Sequence, residues 1–101
     1  MVIVPLLAIP NQSLSITVDR QRWGITVKAA YGSMVIDLAL NDQVVVRGLR
    51  IMPNQPLIPY RHLSTAGNFL MLTDDNLLPA WERFETDQRL IYATAAEIAA
   101  L

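Results

Sequence analysis

Ser13-Leu14-Ser15-Ile16-Thr17-Val18-Asp19-Arg20-Gln21-Arg22-Trp23-Gly24-Ile25-Thr26-Val27-Lys28-Ala29 is the stretch that decides the fold. Leu14, Ile16 and Val18 alternate with polar residues, and Trp23, Ile25 and Val27 alternate after them. A period of two places each apolar set on one face of a strand. Asp19 to Arg22 is polar, so the pair predicts a β-hairpin with a four-residue loop. Downstream the same rhythm continues. Tyr31-Gly32-Ser33 signals a turn, and Met34, Ile36, Leu38 and Leu40 share a face. Asn41-Asp42 predicts a tight turn, and Gln43 to Ile51 predicts a fourth strand with a bulge at Gly48.

The flanks are less regular. Pro5 and Pro10 fix φ and remove donors, so residues 1–11 predict an extended arm or edge strand. Asn11-Gln12 is a polar break. Pro53, Pro56 and Pro59 exclude a helix or central strand over Met52 to Pro59 and predict a surface loop of polyproline character, extended by Tyr60 to Leu63. Ser64 to Asn68 predicts a turn, and Phe69 to Thr73 and Arg89 to Ala93 predict two short strands. An irregular loop or single helical turn is expected over Leu77 to Trp81, and Thr94 is expected to cap a short Ala-rich helix or tail over 94–101. Six to seven short strands and no internal repeat predict one all-β domain, a small antiparallel β-sandwich or partly open barrel with its core over 12–93.

Composition narrows the function. The 101 residues are 52% hydrophobic and 17% charged, with a net charge of −1; soluble domains average about 25% charged residues. This predicts a surface covered by partners, with the surplus apolar residues in the N-terminal segment, the 53–59 loop and the C-terminal tail. The cations Arg20, Arg22, Lys28, Arg47, Arg50, Arg61, Arg83 and Arg89 are scattered, which disfavours a general phosphate binder. No cysteine is present, which excludes disulfides and thiolate chemistry. The apolar N-terminus lacks a basic flank and carries two prolines, so it is not expected to be a signal peptide, and it is too short to span a bilayer.

Nothing points to catalysis. His62 has no ligand-spacing motif around it. Asp74 and Asp75 would face opposite sides of an extended chain and read as turn residues. The four glycines fit no phosphate-cradling loop.

Residues Val4 to Val18, with Pro10-Asn11-Gln12 at their centre, resemble the opening of the cyanophage-type baseplate plug family of contractile-tailed phages. The similarity continues at Val35-Ile36-Asp37-Leu38, Phe69 to Asp74 and Arg89 to Tyr92, so it covers about residues 2–93 in order. Phe84-Glu85 departs from the apolar-glycine pair common before the family's last strand. The resemblance implies a non-enzymatic component of the phage tail baseplate, assembled in the host cytoplasm. It implies binding to tail tube, hub or wedge proteins near the distal tube end, in several copies forming a ring. It brings no catalytic residue, metal or cofactor. Val4, Leu6, Leu7 and Ile9 are the expected apolar partner contacts and Arg47, Arg50 and Arg61 the polar anchors. Strand addition at Val2 to Val4 or Gln12 to Val18 is the expected mode, and loss of residues 1–10 is expected to leave the domain folded. The alternative is an OB-like module binding single-stranded nucleic acid, with Trp23, Trp81, Tyr31, Tyr60, Tyr92, Phe69 and Phe84 as a stacking platform.

Overall fold

The computed structural model describes residues 1–59 and 66–100. Seven strands and one short helix follow in order: β1 (Val2–Val4), β2 (Gln12–Val18), β3 (Gln21–Ala30), β4 (Ser33–Leu40), β5 (Gln43–Arg50), β6 (Asn68–Leu72), β7 (Arg89–Ala93) and α1 (Ala95–Ala99). Strands β2-β3-β4-β5 form an antiparallel meander, and β1-β7-β6 form a second antiparallel sheet. The alternation governs the meander as expected: Ile16 pairs with Trp23, Trp23 with Leu40, Ile25 with Leu38 and Val27 with Ile36, all directed at the core.

The first hairpin loop is shorter than expected. Gln21 and Arg22 belong to β3, and the turn is Asp19-Arg20 alone, with φ of 50° and 64°. The next two turns, Tyr31-Gly32 and Asn41-Asp42, also carry positive φ at both central residues. These are primed turns, whose twist matches that of the flanking strands. The register of β5 against β4 shifts twice, and Gly48 (φ 64°) occupies the second shift. There its N–H donates to Asp37 Oδ1 at 2.6 Å.

The two sheets meet through one shared core. Trp23 of β3 stands edge-on to Phe69 of β6, with ring centroids 5.1 Å apart, and tilts against Tyr92 of β7 at 6.1 Å. A three-stranded sheet does not cover a four-stranded one, so Leu14, Ile16 and Val18 on the edge strand β2 remain partly buried.

The Pro-rich segment is the main correction to the sequence reading. Leu57 and Ile58 are buried, as is Ile51 before them, so this segment is part of the core. It runs along the outer edge of β6, where the Asn54 and Leu57 N–H groups donate to Met71 and Phe69 carbonyls, each at 2.8 Å. Its prolines cannot donate, and two side-chain amides complete the pairing. Asn68 Oδ1 accepts from the Ile58 N–H at 2.8 Å, and its Nδ2 donates to the Ile58 carbonyl at 3.0 Å. At the other end Asn54 does the same with both backbone groups of Thr73. Each amide stands in for a peptide group.

The loop before β7 uses the same device. Fully buried Gln88 accepts from the Ala80 N–H and donates to the Leu78 carbonyl. Thr94 and Glu97 form a reciprocal capping box at the start of α1, and Ile98 packs on Leu70, Ile91 and Ala93 behind the smaller sheet.

Candidate assembly surface

The N-terminal segment divides into an inward and an outward set. Val4 and Leu6 are buried in the chain's own core, which corrects their expected role as partner contacts. β1 pairs with β7 along its whole length, Val2 to Tyr92, Ile3 to Ile91 and Val4 to Leu90. Residues 1–10 thus contribute two core side chains and the strand that flanks β7, where a separable arm was expected. Leu7 (55% exposed) and Ile9 (40%) do face solvent, as do Met1 and Ile3 (each 60%).

This segment is held in place. Gln12 Oε1 accepts from the Leu7 N–H at 2.9 Å, and Gln12 Nε2 donates to the Leu7 carbonyl at 2.7 Å. Glu85 accepts from the Ala8 N–H at 2.9 Å, and Asn11 from the Ala29 N–H at the end of β3. The Asn11-Gln12 pair, a polar break by composition and the centre of the family resemblance, is thus a clamp. With Pro5 and Pro10 fixing φ, Leu7 and Ile9 are presented on ordered backbone. The Met1 ammonium also pairs with Glu97, whose carboxyl is held below its ordinary value by that ammonium first and by the Thr94 N–H next.

The outer face of the smaller sheet is also apolar. Ile3, Ile91 and Leu70 lie side by side across its outer face by register, and Leu72 (40% exposed) lies two residues beyond Leu70 on β6. Ile91 and Leu70 are buried there, with Ile98 of α1 packed on them, so only Ile3 and Leu72 of these four are exposed.

The expected polar anchors lie elsewhere. Arg47 and Arg50 are exposed on β5, at the opposite edge of the four-stranded sheet from β2. Three strand spacings, about 14 Å, separate those edges. The structure does not bring these arginines together with Leu7 and Ile9, which lead into β2. Arg61 lies outside the described residues, as do Tyr60 and His62.

The other candidates of the sequence resolve into structural roles. Of the seven aromatics of the nucleic-acid alternative, Trp23, Phe69, Tyr92 and Phe84 are buried in the core; Tyr31 is exposed in a turn, Trp81 is half-buried, and Tyr60 lies outside the described residues. Arg22 pairs with Asp42, Lys28 with Asp37 and Arg83 with Asp87. Asp74 and Asp75 form a 3-10 turn whose first carbonyl accepts from the Leu77 N–H. No group of three or more potential metal ligands occurs among the described residues, and no described helix is long and apolar enough to cross a membrane. What the surface offers is apolar docking area.

A family model described as cyanophage baseplate Pam3 plug gp18 matches residues 1–95 of the chain. No curated protein matches it.

Proposed function

Because the chain belongs to the cyanophage baseplate plug family, we propose that it is a structural subunit of a contractile phage tail baseplate that docks through its clamped N-terminal segment. The family accounts for the baseplate role. The docking surface is read from one observation: Leu7 and Ile9 face solvent while the backbone carrying them is bound by Gln12 and Glu85. An apolar surface fixed before contact loses little conformational entropy on docking. Exposed Met1 and Ile3 on the adjoining strand enlarge it. The partners are tail tube, hub or wedge proteins near the distal end of the tube, with several copies of the chain arranged around it.

Co-expression of the chain with the tube, hub and wedge proteins of its own phage tests the reading. The native chain co-purifies with at least one of them. The Leu7→Asp, Ile9→Asp double variant, altered only at exposed positions, stays folded and is lost from the complex. Retention of that variant at native stoichiometry refutes the docking surface.

A further inference from the structure

The four sheet edges of this molecule are not alike. β1 offers three residues and ends at Pro5. β5 carries two register shifts and the exposed Arg47 and Arg50. The edge of β6 is sealed by the Pro-rich segment and the amides of Asn54 and Asn68. Short strands, bulges, charges and covering loops are the devices by which proteins prevent unwanted strand pairing. β2 has none of them. It runs seven residues without proline, charge or register shift, and no described residue outside β3 bonds its backbone.

Its free groups can be named. Val18 and Gln21 flank a two-residue turn, so they form a mutually hydrogen-bonded pair, and bonding alternates from there. Leu14, Ile16 and Val18 thus direct their backbone groups to β3. Ser13, Ser15 and Thr17 direct theirs outward, and their side chains stand on the exposed face of the sheet.

From Ser13 to Thr17 the sequence of β2 reads alike in both directions about Ser15. We propose that β2 pairs antiparallel with β2 of a second copy, about a twofold axis at Ser15, joining two four-stranded sheets into one of eight. In that register Ser15 faces Ser15, Ser13 faces Thr17, and Leu14 faces Ile16. From Ser13 to Thr17 every hydroxyl meets a hydroxyl and every aliphatic an aliphatic, pairings that stabilise neighbouring strands, and at each end Val18 faces Gln12. The outward backbone groups of Ser13, Ser15 and Thr17 all gain partners. Leu14 and Ile16, left partly uncovered by the narrower sheet, gain cover from each other across the axis. The interface is isologous, with one patch serving both subunits. It does not rest on the baseplate reading.

The absence of cysteine makes the register testable by single substitutions. Paired Cα atoms at a hydrogen-bonded position are about 5.5 Å apart, within the range a disulfide spans. The purified native chain sediments as a dimer at about 100 µM. On mild oxidation Ser15→Cys links to itself. Ser13→Cys and Thr17→Cys each link to themselves at least tenfold more slowly, yet link to each other when mixed. Ser15→Lys sets like charges opposite one another on an exposed position and sediments as a folded monomer. A monomeric native chain overturns the inference, as does a dimer that survives Ser15→Lys or in which Ser13→Cys links to itself as fast as Ser15→Cys. A native monomer that still co-purifies with tail proteins overturns this pairing and leaves the baseplate role standing.

Discussion

Asn68→Ala removes a side chain that is only 3% exposed and holds the Pro-rich segment against β6. The wild-type amide satisfies the Ile58 N–H and carbonyl, and its oxygen also accepts from the Phe69 N–H at 2.8 Å. Alanine leaves both polar groups of buried Ile58 without partners, at roughly 1–3 kcal/mol for each unsatisfied group. Some relaxation and water entry lower the sum, so the expected loss is about 3 kcal/mol. Domains of this size are stable by about 5–15 kcal/mol, and 1 kcal/mol corresponds to roughly 4–8 °C in melting temperature. The expected shift is therefore about 15 °C. Asn54→Gly is the control, glycine being used because Asn54 has φ of 57° and alanine would add backbone strain: its amide also binds a backbone from both sides, but at an exposed position where water substitutes. Its cost is about 1 kcal/mol or less. Urea unfolding gives both values, and amide exchange at Ile58 reports whether the segment has come loose. Equal losses in the two variants, or a loss below about 0.5 kcal/mol for Asn68→Ala, would show that the buried amide does not replace a strand.

Three further outcomes follow from the same structure. Gly67 has φ of 127°, and a Cβ there would lie 2.4 Å from the Tyr92 hydroxyl oxygen, which donates to the Ala66 carbonyl; Gly67→Ala destabilises by about 3 kcal/mol in thermal or denaturant unfolding through backbone strain and overpacking. Deleting residues 1–10 exposes the sites of Val4 and Leu6, each worth about 1.5–3 kcal/mol when buried, so calorimetry shows a large fall in melting temperature and amide exchange quickens at Leu90 and Tyr92. The Asp37 carboxyl is held below its ordinary value of 3.8, first by the Gly48 N–H and then by the Lys28 ammonium. The folded state therefore binds this proton less tightly than the unfolded state, and the stabilisation, complete above the ordinary value, disappears as pH falls through the lower folded value. Asp37→Asn accordingly flattens the acid limb of stability against pH and leaves the slope near neutrality unchanged.

The strands were legible because their alternation is local. Leu14, Ile16 and Val18, or Met34, Ile36 and Leu38, reveal their shared face within six residues. Gly48 announced its bulge because a glycine inside an alternating run has no packing reason to be there. Thr94 was legible as a helix cap by residue type. The illegible parts all depend on partners distant in sequence. Nothing near Leu57 or Ile58 shows that the Phe69 carbonyl will accept from the Leu57 N–H and that Asn68 will satisfy both backbone groups of Ile58, and so permit a Pro-rich loop to enter the core. Val4 and Leu6 look identical to Leu7 and Ile9 as apolar residues. Only the pairing of β1 with β7, 86 to 90 residues away, fixes Val4 inward, and Leu6 follows it into the same core. The low charge pointed to hidden partners. Part of that apolar surplus proves to be this chain's own core, and the remainder is exposed at the N-terminal segment (Met1, Ile3, Leu7 and Ile9) and at separate places such as Val44, Leu77 and Leu78.

The most direct test of the baseplate account is a reconstruction of intact tails carrying the chain, at a resolution that traces its backbone. The account predicts several copies at the distal end of the tube, each with Leu7 and Ile9 buried against a tube, hub or wedge protein. Tails that lack the chain, or that hold it with Leu7 and Ile9 facing solvent, contradict it.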